Sequence, residues 1–127
     1  MINDSAGTAY RVDVPSALAT MLLDAELRAH DTAGICLSVD GAGPSAAVLA
    51  PLRAEDRTRI RPHSACVAQG MNTPSVEVRE YLTDGSGTGT VQVEIADDGK
   101  NGKRRVETRT LEVQRDGLQW QVKRVVL

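Results

Sequence analysis

The apolar positions of this chain change identity and spacing halfway along. Between Pro15 and Leu52 they are mostly Leu and Ala, whereas from Val76 to Leu127 Val dominates in alternation with polar residues. Leu and Ala lose little side-chain freedom in a helix, and β-branched residues suit a pleated, half-buried surface. The pattern therefore predicts helices first and a β-meander after.

Residues 1–11 are polar and unpatterned and read as a flexible leader that docks through Tyr10. A first helix follows, capped by Asp13 or Ser16, with Pro15 in its first turn and the stripe Leu18, Met21, Leu22 and Ala25 running toward His30. Gly34 is expected to close it. Ile35, Leu37 and Val39 predict a short strand stopped at Asp40-Gly41, and Pro44-Ser45 opens a second helix carrying Val48, Leu49 and Leu52. Arg53 to Arg61 reads as a charged connection, with an extended segment at Ile60 and a loop at His63.

The meander is expected as Val76, Val78 and Tyr81, then the loop Asp84-Gly85-Ser86-Gly87, then Val91, Val93 and Ile95, and a turn from Asp97 to Lys103. Val106, Leu111 and Val113 disagree in phase, which predicts a bulge near Arg109. Asp116-Gly117 signals a tight hairpin, after which Leu118, Trp120 and Val122 are expected on the core face. The fold class is α+β, a single domain over residues 12–127 with an N-terminal helix packed on a curved antiparallel β-meander.

Composition narrows what such a domain does. With no Phe, one Trp and two Tyr, the core must come from Val, Leu, Ile and Ala, and the shortage of large rings argues against a stacking platform for single-stranded nucleic acid. The net charge of -2 argues in the same direction against nucleic acid and anionic membranes. Charge is nevertheless uneven, because residues 99–127 hold eight Lys or Arg against three acids. Lys100, Lys103, Arg104 and Arg105 are a candidate basic binding patch, or the solvated tip of a hairpin. No apolar run is long enough to span a membrane, and no signal peptide is evident at the N-terminus.

A long first helix followed by a meander that closes on Asp116-Gly117-Leu118-Gln119-Trp120-Gln121-Val122 resembles the NTF2-like and cystatin-like group. That likeness implies a sheet wrapped round the helix as a cone, with a mouth lined by Met71, Tyr81 and Trp120. It transfers no catalytic residue, since Asp97, Asp98 and Tyr81 read as turn or strand-end positions. Cys36-Leu37-Ser38-Val39, Gly43-Pro44-Ser45 and Arg61-Pro62-His63-Ser64-Ala65-Cys66 are similar to small uncharacterised exported proteins of Gram-negative bacteria. This second likeness and the even cysteine count imply a Cys36–Cys66 disulfide, contributing roughly 3 kcal/mol in the loop-entropy model, and a periplasmic or secreted location. Two reduced cysteines, in a cytoplasmic protein, are the alternative.

Other constellations favour bland readings. His63, Cys66 and Cys36 offer three metal ligands without a fourth, and a Cys–His pair without an orienting third group. Gly85-x-Gly87-x-Gly89 and Gly41-x-Gly43 lack the Lys-Ser/Thr of a phosphate loop, and Asp97-Asp98-Gly99 lacks the later Glu of a calcium loop. Asn3-Asp4-Ser5 is a formal glycosylation sequon of a kind that arises by chance. No cofactor or metal is indicated. The expected function is a non-enzymatic, exported protein-interaction module whose partner is another protein, an inhibitor or immunity-type role being one version of it. A small-molecule pocket or enzyme of the NTF2-like kind is the alternative.

Overall fold

The structure, a computed structural model, describes residues 9–69, 73–98 and 103–126. The elements follow in the order β1 (Tyr10–Val12), α1 (Ser16–Ala29), β2 (Cys36–Val39), α2 (Ala46–Leu49), α3 (Ala54–Arg57), α4 (His63–Gln69), β3 (Ser75–Thr83), β4 (Thr88–Asp98), β5 (Arg104–Asp116) and β6 (Gln119–Val125). The fold is α+β. β3 to β6 form the antiparallel meander, and β1 and β2 share the remaining edge of β3.

Two features of that edge depart from expectation. Tyr10 and Arg11 are strand residues and pair with Thr83 and Leu82. β2 runs parallel to β3, with Leu37 opposite Val76 and Val39 opposite Val78. A parallel neighbour requires a long crossover, and α2, α3 and α4 supply it.

Period-two alternation turns Val76 and Val78 of β3, Val91, Val93 and Ile95 of β4, and Leu111 and Val113 of β5 to one face, where they join one buried cluster with α1. α1 contributes Leu18, Ala19, Leu22, Leu23 and Leu27 to it. The expected stripe is thus corrected: Ala25 is exposed, and Met21 is only partly buried. Val48 and Leu52 add a second flank, so α1 is covered on more than its sheet-facing side.

The ends of α1 are held differently from the sequence expectation. Pro15 occupies the N-cap position without a side-chain cap, and its carbonyl accepts from Ala19 N–H at 2.9 Å. The helix stops at His30 in an extended conformation, ahead of Gly34. Arg59 donates to Leu27 O in the last turn of α1 at 2.9 Å and to His30 O at the cap, and beyond the helix to Thr32 O at 2.9 Å. Asp56 fixes Arg59 at 3.0 Å and Arg53 at 2.9 Å while itself buried. The charged connection therefore contains a helix, α3, and serves as the C-terminal cap of α1. His63, expected in a loop, opens α4.

No bulge lies at Arg109, which pairs regularly with Val93. Val106 simply faces the opposite side of the sheet, across from Ala96. The register shifts fall instead between Arg79 and Leu82, where Glu80 has φ 55°, and at Lys123, the extra residue between Val122 and Arg124. The first shift brings the backbone close to Gly89, where a Cβ would lie 2.3 Å from Leu82 O and 2.8 Å from the Tyr81 ring. Tyr81 is consequently a buried residue within β3 and not a strand-end one. Asp97 and Asp98 likewise belong to β4, pairing with Arg105 and Arg104.

Asp116 pairs with Gln119, so the hairpin loop is Gly117-Leu118, one residue later than the sequence suggests. Gly117 takes φ 65°, the left-handed conformation that a two-residue turn with Gly first requires. Leu118 is thereby lifted out of the strand and is 95% exposed, which corrects its expected place in the core.

Candidate interaction surface

A groove of about 530 Å³ opens between the N-terminal half of α1, α2 and the β5–β6 hairpin. Its floor is apolar for a sequence reason: Ala17 and Ala47 are too small to fill the space between the helices, while Met21, Pro51, Leu118 and Trp120 line the rest. Thr20 donates its hydroxyl to Ser16 O at 2.9 Å and contacts Val48 O at 2.8 Å, which ties α1 to α2 and leaves the hydroxyl satisfied. Among the described residues no charged side chain lines the groove.

Trp120 is half-buried and meets Tyr81 edge to face, with ring centroids 5.8 Å apart and planes at 87°. The expected pair Tyr81 and Trp120 is therefore brought together, but in unlike roles. Tyr81 is a wall behind the indole, and Trp120 reaches the groove. Met71 lies outside the described residues. Among the described residues Met21 lines the groove.

Within the basic patch, Arg104 and Arg105 turn to opposite faces of β5. Lys100 lies outside the described residues, and Lys103 is exposed. Arg104 turns to one side of β5 and donates to Thr73 O at 3.1 Å and Ser75 Oγ at 3.2 Å. Arg105 turns to the other and meets Asp97 at 3.4 Å. Cys36 and Cys66 form a disulfide with Cα atoms 5.8 Å apart, so neither thiolate is available to pair with His63 or to bind metal in this state. His63, Ser75 and Arg104 line a shallow cleft beside that bond.

At the opposite end of α1, a polar cleft gathers His30, Asp97, Arg105, Glu107 and Arg109. Its charges are mutually engaged. Glu26 meets His30 at 3.3 Å and Arg109 at 3.4 Å, and Arg109 donates to Glu107 at 2.7 Å. That hydrogen bond, with the Arg109 and Arg105 charges, outweighs desolvation and holds the Glu107 carboxyl below its ordinary range. On the far face of the sheet, Arg79 is similarly engaged by Glu77 at 3.3 Å and Glu94 at 3.1 Å. The lining of the apolar groove, in contrast, is uncharged among the described residues.

Sequence reasoning missed Leu118 and Ala17 as groove residues. One signal was present: an apolar side chain in the second position of a Gly-led turn has no turn-forming role. Among the described residues no helix is long and apolar enough to cross a membrane. Comparison of the chain with protein-family models, with curated proteins and with solved structures gives no match.

Proposed function

We propose that this protein is a non-enzymatic protein-interaction module that takes an apolar segment of another protein into the groove between α1 and the β5–β6 hairpin. The observation that carries this reading is Leu118, 95% exposed at the hairpin tip and bordering the groove. The indole of Trp120 is of the residue type that anchors interfaces, and Leu118, held out by the tight turn, continues its apolar surface and that of Met21 and Pro51 into one patch. The disulfide supports an exported protein acting in an oxidising compartment. Selection from a displayed random-peptide library tests the reading. Peptides enriched on the protein should lose about tenfold or more in affinity for Leu118→Glu, as expected for burying a charge at an apolar anchor. Peptides that bind both proteins equally would contradict it.

A second reading, an NTF2-like pocket for a small apolar molecule, is favoured by size, since about 530 Å³ lies within the range of ligand pockets. Among the described residues the polar side chains that line the groove are Ser16, Thr20 and Gln119, so binding without acid–base chemistry is what such a pocket would provide. An environment-sensitive apolar dye bound stoichiometrically, and not displaced by selected peptides, would support this alternative.

A further inference from the structure

β6 is filled on one edge only. β5 occupies that edge, and among the described residues no strand pairs with the other. Asp116 and Gln119 oppose each other across the two-residue loop, and in such a hairpin that pair exchanges both backbone hydrogen bonds. Alternation then turns the N–H and C=O groups of Trp120 and Val122 away from β5. Beyond Val122 the edge is interrupted by the bulge at Lys123, a bulge and lysine of the kind that protects open strands from pairing. The unprotected stretch is Trp120 to Val122, and it begins at the groove.

The charge around this stretch selects the occupant. β6 carries Lys123 and Arg124 and no acid, and Arg115 stands opposite Trp120. Arg124 is engaged by Glu112 at 2.7 Å, whereas among the described residues neither Arg115 nor Lys123 has an ion-pair partner. A second copy of β6 would set these cations against their own kind. An acidic strand would neutralise them.

Resting on the reading of the groove as a peptide site, we infer that the partner segment is an extended strand of another protein, with Asp or Glu alternating with apolar residues. It adds to β6 at Trp120 and Val122 and places one apolar side chain in the groove beside Leu118. Main-chain bonds then hold the segment and alternate side chains specify it.

The test uses peptides selected from the displayed library, resynthesised with single backbone N-methyl groups, and the intact protein. N-methylation at alternate positions should weaken binding about tenfold and leave the intervening positions unchanged, because only every second N–H faces β6. Val122→Pro removes an N–H that β5 does not use, so it should abolish this affinity while the melting midpoint holds. Arg115→Glu with Lys123→Glu should weaken binding at low salt and less at high salt. Peptides that depend on Leu118 but show no two-residue N-methyl pattern would overturn strand addition and leave the groove reading standing. Absence of any Leu118-dependent peptide would overturn the groove reading itself. Sedimentation showing a dimer that Val122→Pro dissociates would assign the edge to a second copy and overturn the acidic-partner inference.

Discussion

The Tyr81 ring receives the edge of Trp120 with centroids 5.8 Å apart, so the one indole of the chain is braced by the core while its free side borders the groove. Substituting Trp120 removes both the aromatic pair and part of the core wall. Trp120→Ala should cost about 2 kcal/mol, below the range for a fully buried Trp because the residue is only partly buried. Chemical denaturation measures the loss, and the wild-type indole should be partly accessible to a neutral quencher.

Reduction of the Cys36–Cys66 bond releases a loop of sequence separation 30 that contains α2 and α3. Stability should fall by about 3 kcal/mol, from the loop-closure entropy regained by the unfolded chain. The meander from β3 to β6 lies outside the loop, so the far-ultraviolet strand signal should survive in the Cys36→Ala, Cys66→Ala double variant. A variant as stable as the wild type would contradict this.

Burial works against the Asp56 carboxylate, but hydrogen bonds and charge from Arg53 and Arg59 outweigh it and hold its carboxyl below the ordinary value of 3.8. A folded-state value lower than the unfolded one stabilises the native protein above the unfolded value, and that contribution is lost as pH falls through the folded one. The melting midpoint should therefore decline on acidification below about pH 5, where unfolded carboxylates begin to take up protons. Asp56→Asn should melt earlier than the wild type at neutral pH, and the gap should narrow in acid.

Gly89 leaves no room for a side chain against Leu82 O at 2.3 Å. Gly89→Ala should destabilise by roughly 2–3 kcal/mol, because the contact is with backbone and the β3 bulge must shift to relieve it. Thermal denaturation checks this. Gly117→Ala, at φ 65° with open space around it, should be milder, costing roughly 1 kcal/mol in conformational strain alone.

Much of this architecture is legible in the residues because it rests on local periodicity. Val91, Val93 and Ile95 alternate with Gln92 and Glu94, and that alone places β4 and its buried face. Leu118 misleads for the same reason, since counting back by two from Trp120 carries the alternation through a turn that the Gly117 backbone has already begun. Arg59 and Asp56 are invisible as a helix cap, because the carbonyls they serve lie about thirty residues away on α1. α3 is four residues long and too short to show a period. The groove itself is made by Ala17 and Ala47, whose contribution is the volume they do not fill, and no pattern of apolar residues announces an absence of bulk.

The groove and the adjoining edge of β6 are the working surface in this account, and an amide chemical-shift titration of the isotope-labelled protein with a selected peptide tests that most directly. The account predicts shifts confined to Ala17, Met21, Ala47 and Gly117 to Val122, together with slowed exchange of the Trp120 and Val122 amides. Shifts centred instead on His30, Glu107 and Arg109 at the other end of α1, with Leu118 and Trp120 unmoved, would contradict it.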